Sequence, residues 1–175
     1  MEVTAPQITI RNAVPDDVEL LHALICELAE YEKLRDAVKA TVESLHACLF
    51  GPRPFAEAIV GSINGEAAGF ALFFHNYSTF AGKPGLYLED LYVRQASRGH
   101  GLGKALFRRV GEIAVERSCS RIEWSALDWN ESAIRFYTAQ GAHEMRQWRI
   151  YRLDGPALTF LAGHADQPTT ERGAT

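Results

Sequence analysis

The sequence predicts one domain with an α/β (α+β mixed) fold, in which a mixed sheet carries helices on both sides. Runs of β-rich composition alternate with runs of helical periodicity along the chain. In residues 86–116 a β-rich run, a glycine-rich loop and a helical run follow one another directly. A chain of 175 residues can bury one sizeable core, but it is short for two independent domains.

The N-terminal region predicts a strand and two helices. A short strand is expected at residues 8–10, and apolar residues recur at helical spacing over residues 18–28, behind a proline and two acids. Thr41 and Ser44 resemble a capping box, although Ser44 stands where Glu or Gln would be ideal. A short helix is therefore expected to begin after Thr41 and to end near residue 49.

A hairpin and three further elements complete the predicted fold. The β-rich runs 56–63 and 67–77 flank Asn64-Gly65, a dipeptide typical of two-residue hairpin turns. The rest of the chain predicts, in order, strand, helix, strand, helix and strand at residues 86–93, 104–116, 121–126, 130–140 and 147–153. Residues 1–162 are expected to form the domain, and residues 163–175 to form a disordered tail.

Composition excludes several classes of protein. The net charge of −4 argues against a nucleic-acid partner and mildly favours cationic substrates. No run approaches the roughly 18 apolar residues of a membrane helix, and no signal peptide opens the chain, so a cytoplasmic protein without a membrane partner is expected. The three cysteines and six histidines show no ligand spacing, which argues against a metal.

The glycine-rich loop from Arg98 to Lys104 predicts an anion site. At the junction between a strand and a helix, several backbone N–H groups can converge on a phosphate, and glycines allow its close approach. A Walker loop is a poor match because Ala105 follows Lys104. A dinucleotide fingerprint fits poorly as well, since Gly103 comes one residue early. A glycine-rich turn without a ligand is the remaining structural alternative.

The loop also resembles the coenzyme A loop of the GNAT acetyltransferases. Within that family the chain is most similar to the diamine (spermidine/spermine) acetyltransferases and to the enzymes that acetylate thialysine. The segments that carry the resemblance are ELAEYE at 27–32, LYLEDLYV at 86–93, RGHGLGK at 98–104 and WNESAIRFY at 129–137. The resemblance implies a mostly antiparallel sheet of six to seven strands with about four helices, acetyl-CoA as cosubstrate, and a homodimer.

The same resemblance implies the roles of individual residues. The cofactor would be held by Leu91, Tyr92, Val93, Arg98, Gly99, His100, Gly101, Leu102, Gly103, Lys104, Asn130 and Ser132. Tyr137 would give a proton to the departing thiolate. Two of these residues have purely structural alternatives, because Asn130 is also a good helix N-cap and Tyr137 could be a core aromatic.

Acidic residues predict the amine site. Glu89 and Asp90 form a charged pair in an otherwise apolar strand, where uncompensated charge is costly, so a function or a buried partner is expected. By resemblance, Glu89 would bind the substrate ammonium or accept its proton. Further substrate contacts are implied for Asp90, Tyr31, Glu32 and Trp148. For Tyr31 and Glu32 a solvated helix end is the structural alternative.

The predicted activity is acetyl transfer from acetyl-CoA to the primary amine of a small molecule, by direct attack in a ternary complex. Arg146 stands where the diamine enzymes carry acids, and it would repel a long polycation if it faces the site. A lysine-like amine is therefore as well supported as spermidine. A protein lysine or N-terminal acetyltransferase and a catalytically silent coenzyme A-binding module are the alternatives.

Overall fold

A computed structural model describes residues 6–164, which fall into two compact units. The first unit ends at Ser125 and the second begins at Ala126. All of the predicted tail except Gly163 and His164 lies outside the described residues. The prediction that residues 1–162 form a single domain stays a prediction.

The first unit holds one five-stranded sheet and three α-helices. Its strands are β1 Ile8–Asn12, β2 Glu57–Ile63, β3 Glu66–Ser78, β4 Lys83–Val93 and β5 Ile122–Glu123. Its helices are α1 Val18–Tyr31, α2 Val42–Phe50 and α3 Leu102–Glu116. The strands lie in the order β1-β2-β3-β4-β5; the first three pairings are antiparallel and the last is parallel. The predicted mixed, mostly antiparallel sheet is confirmed.

Helices cover both faces of this sheet, as predicted. In β3 the side chains of Phe70 and Leu72 pack in the core beneath α1 and α2. Their neighbours Ala71 and Phe73 point the other way, into the core beneath α3. Because successive residues of a strand face opposite sides, a strand buried on both faces has a continuous apolar run instead of an alternating one.

Local signals set the predicted turns and caps. Asn64 and Gly65 both have positive φ angles, 52° and 87°, as the tight turn between β2 and β3 requires. Thr41 Oγ1 accepts from the Ser44 N–H at 3.2 Å, and Ser44 Oγ accepts from the Thr41 N–H at 2.9 Å. Ser44 therefore completes the capping box despite its short side chain.

The second unit contains α4 Glu131–Ala139, as predicted, and α5 Gly155–Leu161, which the sequence pattern did not predict. The start of α5 contains Gly155-Pro156, a turn signal, but proline is also accepted in the first turn of a helix. The described residues therefore hold five α-helices, where about four were expected. No helix within residues 6–164 is long and apolar enough to cross a membrane.

Two strand predictions were wrong: the strand at 147–153 does not form, and the strand at 121–126 is shorter than expected. Residues 147–153 are β-rich but pair with no strand in the described chain, and a strand exists only when its backbone joins a ladder. The run 121–126 pairs only through Ile122 and Glu123. The sheet of the described residues consequently has five strands instead of six to seven.

Candidate active site

A β-bulge in β4 controls which side chains reach the site. Leu72 of β3 pairs with Asp90, but the next residue, Phe73, pairs with Leu88, so Glu89 is an extra residue without a partner across the ladder. Before the bulge Leu88 packs beneath α3, whereas after it Tyr92 packs beneath α1 and α2. Because the bulge reverses the alternation, Asp90 lies with Tyr92 on the face beneath α1 and α2, whereas Leu88 lies on the opposite face. Without the bulge, the carboxyl group would point into the apolar core beneath α3.

Three carboxyl groups lie near one another beside this bulge, and two of them act on the third. Burial raises the pKa of Asp90 from 3.8 to about 7, and the negative charges of Glu89 and Glu32 contribute to the increase. Burial also raises the pKa of Glu32, which caps the C-terminal end of α1. The predicted substrate residues Glu32, Glu89 and Asp90 are thus brought together, although 57 positions separate Glu32 from Glu89. We call this group the acidic trio.

The end of β4 has an open edge next to the trio. Strand β5 pairs only with Leu86 and Tyr87 of β4, and the ladder stops two residues before Glu89. Residues 91–93 keep their pairing with β3 on the other side, for example Val93 with Gly69. Within the described residues no strand pairs with this second edge, so the N–H groups of Leu91 and Val93, which alternate away from β3, are available to a ligand.

The predicted anion loop connects β4 to α3. A short 3₁₀ turn, Gln95–Ser97, is followed by Gly99 and Gly101, with φ angles of 83° and 88° that favour glycine. Gly101 is the N-cap of α3, where no side chain caps the helix. The Ala105 N–H donates to the Gly101 carbonyl, and the N–H groups that precede it are those that a helix leaves unpaired. This geometry suits an anion.

Arg98 links the loop to helix α1. Its Nε donates to the Val93 carbonyl at 3.0 Å, and its guanidinium carbon lies 4.4 Å from the centre of the Tyr31 ring. The guanidinium also lies 5.9 Å from the ring of Tyr92. Arg98 and Tyr31, predicted for cofactor and substrate respectively, are therefore in direct contact.

The remaining predicted site residues belong to the second unit. Asn130 is the N-cap of α4 and accepts from the Ala133 N–H at 3.2 Å, so its structural role is confirmed. Ser132 and Tyr137 lie on α4, and the Tyr137 ring is 5.3 Å from that of Phe136. Trp148 follows in a turn, its N–H bonded to the Met145 carbonyl. The roles of these residues toward cofactor or substrate stay predictions.

Sequence reasoning missed one pair of residues beside the site. Arg94, the first residue after β4, makes a bidentate ion pair with Glu27 of α1, with a shortest N–O distance of 2.8 Å. The pair joins positions 67 residues apart, which local periodicity cannot reveal. The sequence offered one indication that Glu27 faces the site: it precedes the predicted substrate residue Tyr31 by four positions, which places both on one helix face.

A glycine loop whose geometry suits an anion and a group of acidic residues thus lie near the same end of β4, on a mixed sheet with an open edge. Such an arrangement is compatible with a group-transfer enzyme that uses an anionic donor and a cationic acceptor. The chain belongs to the acetyltransferase (GNAT) family, whose model matches residues 21–142. The family resemblance seen in the sequence is thereby confirmed, and the protein is an N-acetyltransferase of the acyltransferase type.

Named relatives align over most of the chain. It is 39% identical to a thialysine N-epsilon-acetyltransferase from Bos taurus, over 89% of this chain and 98% of the relative. It is 33% identical to an L-ornithine N5-acetyltransferase from Arabidopsis thaliana, over 87% of this chain and 86% of the relative. Among solved structures, an integron cassette protein from V. cholerae superposes with a TM-score of 0.74 at 27% identity, covering 89% of this chain and 97% of that one.

Proposed function

We propose that the protein transfers the acetyl group of acetyl-CoA to the terminal amine of a small, lysine-like molecule, within a ternary complex. The observation that carries this proposal is the acidic trio, which lies at the end of β4 beside both the open edge and the phosphate loop. A cationic acceptor and an anionic donor would therefore meet at one strand end.

The cosubstrate fits the loop and the open edge. Backbone N–H groups from residues 99–104 would bind the pyrophosphate, with Arg98 and Lys104 supplying positive charge. The open edge at residues 91–93 would bond the pantetheine arm as an added strand would. Near Tyr92 and Val93, the Val93 N–H faces the open edge and would stabilise the negative charge that develops on the acetyl oxygen.

The acidic trio would bind and deprotonate the amine. Glu89 is exposed at the bulge and would attract the ammonium group. Asp90, whose pKa burial raises to about 7, would accept the proton at neutral pH. The neutral amine then attacks the thioester carbon, the C–S bond breaks, and Tyr137 protonates the leaving thiolate. The new amide nitrogen loses its extra proton, which restores the Tyr137 hydroxyl directly or through water.

A basic amino acid is the proposed acceptor. Thialysine and ornithine, which the names of two relatives specify, each combine a terminal amine with an α-carboxylate. If Arg146 faces the substrate, it would attract such a carboxylate and repel a long polycation. Its ion pair with Glu144, at 2.8 Å, offsets part of this charge. We further propose that the enzyme acts without a metal, as a homodimer, in the cytoplasm.

Thiol release from acetyl-CoA tests the proposal across lysine, thialysine, ornithine, putrescine, spermidine and a lysine peptide. We expect kcat/KM to be highest for one of the three amino acids and at least tenfold lower for spermidine, a difference of about 1.4 kcal/mol. Arg146→Glu should reduce the difference in kcat/KM between the preferred amino acid and spermidine. Arg53→Glu, at an exposed position, is the charge-matched control.

The possible outcomes separate the alternatives. Preference for the peptide would establish a protein acetyltransferase instead. Coenzyme A binding without turnover of any amine would establish a silent binding module, and preference for spermidine would refute the proposed acceptor while leaving acetyl transfer intact.

A further inference from the structure

Arg94 lies at the point where the chain leaves the sheet and enters the phosphate loop. Its backbone N–H makes the last bond to β3, donating to the Ala68 carbonyl at 2.9 Å. The 3₁₀ turn Gln95–Ser97 begins at the next residue. Any tilt of the backbone at Arg94 would therefore displace the whole loop relative to the sheet.

The Arg94 side chain holds this point from two directions. Nε lies 3.1 Å from each carboxylate oxygen of Glu27, and Nη2 donates to one of them at 2.8 Å. Nη1 donates to the Ala67 carbonyl at 3.0 Å. Both ionic side chains are only about one-third exposed, at 38% for Arg94 and 35% for Glu27, so solvent screens the pair incompletely. One guanidinium thus joins α1, β3 and the start of the loop.

Helix α1 holds the far end of the same segment. Tyr31 lies one helical turn after Glu27 and stacks under Arg98, whose Nε is bonded to the Val93 carbonyl. The segment from Arg94 to Arg98 is therefore attached to α1 at both ends. The glycines that follow cannot supply such rigidity, because glycine has the greatest conformational freedom.

We propose that Arg94, through its ion pair with Glu27, is a positioning residue that holds the loop in the conformation that binds the pyrophosphate. The inference rests on the proposed use of acetyl-CoA. When the N–H donors are held rigidly before binding, less entropy is lost on binding. A loop that is no longer held in place should therefore bind its ligand more weakly. Arg94 itself need not touch the ligand.

The test compares Arg94→Ala with Arg94→Lys and Glu27→Gln. Arg117→Ala is the matched control, because Arg117 makes a bidentate pair with Glu57 of similar exposure just beyond the C-terminal end of α3, roughly 20 Å of helix away from the loop. For Arg94→Ala we expect about a tenfold rise in the acetyl-CoA KM and in the calorimetric Kd for coenzyme A, as lost charge-assisted hydrogen bonds would give. The change in kcat should be smaller.

Graded rescue distinguishes positioning from folding. Lysine keeps the positive charge but lacks the planar guanidinium that bonds both carboxylate oxygens. Arg94→Lys should therefore recover part of the coenzyme A affinity lost in Arg94→Ala, and Glu27→Gln should show a similar intermediate affinity. If Arg94→Ala and Arg117→Ala lower the melting temperature equally but only the former weakens coenzyme A binding, the inference is supported. Equal coenzyme A affinities in the two variants would overturn it.

Failure of the proposed function gives a different result. A wild-type protein that binds coenzyme A but acetylates no amine would refute the function, while the Kd comparison would still decide the role of Arg94. If Arg94→Ala does not fold, the same comparison made with Arg94→Lys and Glu27→Gln decides it. A wild-type protein with no affinity for coenzyme A would overturn both proposals.

Discussion

Replacing Asp90 by Asn should change how the stability of this protein depends on pH. Asn has nearly the same shape but cannot ionise, so the substitution removes the charge that burial, Glu89 and Glu32 oppose. Because the pKa of Asp90 is raised in the folded protein, ionisation of this carboxyl favours the unfolded chain. The variant is therefore expected to be more stable than the wild type at high pH.

The sign and size follow from proton linkage. Below about pH 4 the carboxyl is protonated in both states, and between about pH 4 and pH 7 only the folded protein keeps the proton, so the free energy of unfolding falls as pH rises. A pKa rise from 3.8 to about 7 corresponds, at about 1.4 kcal/mol per pH unit, to an upper limit of about 4 kcal/mol. Solvent reaches part of the side chain, so we expect about 1–2 kcal/mol between pH 5 and pH 8.

Urea unfolding followed by tryptophan fluorescence measures this effect, with Trp124, half-buried against the core beneath α3, as a reporter. The stability of Asp90→Asn relative to wild type should increase from pH 5 to pH 8. Glu66→Gln, which neutralises an exposed carboxylate at the start of β3, should show no such trend. A stability difference for Asp90→Asn that stays constant from pH 5 to pH 8 would refute the reasoning.

Four further substitutions test the catalytic acid, the loop with its control, and the cap. Tyr137→Phe removes the proposed proton donor and should lower kcat about 10- to 100-fold with little change in the acetyl-CoA KM; equal turnover would rule out the acid role. Gly101→Ala places a side chain at a φ of 88° and should cost about 1–3 kcal/mol in thermal unfolding. Gly111→Ala, inside α3 with nothing within 4 Å of the new methyl group, should instead stabilise by about 0.5–1 kcal/mol. Shifts of the same sign in both glycine variants would show that the positive φ at Gly101 is not what makes a side chain costly there. Asn130→Ala removes the cap of α4 and should weaken that helix by about 1 kcal/mol, seen as faster amide exchange in α4; unchanged exchange would exclude a stabilising cap.

Short-range signals predicted most of the elements in the first unit. The turn at Asn64-Gly65, the capping box at Thr41 and the glycine loop before α3 all depend on residues within a few positions of one another. The same holds for α4, which begins after Asn130 as expected. The strand predicted at 147–153 was wrong because a ladder depends on a partner elsewhere in the chain, which composition does not reveal.

The candidate site divides in the same way. The sequence identified the residue types of the site. Glycines at a strand–helix junction and two acids in an apolar strand are each locally unfavourable, and such residues indicate a function. How they meet depends on tertiary contacts: the bulge at Glu89 is a property of the β3–β4 ladder, and it turns Asp90 toward Glu32. The pairing of Arg94 with Glu27 likewise requires α1 to pack on the sheet. Local chemistry is a property of neighbours along the chain, whereas pKa and positioning arise from neighbours in space.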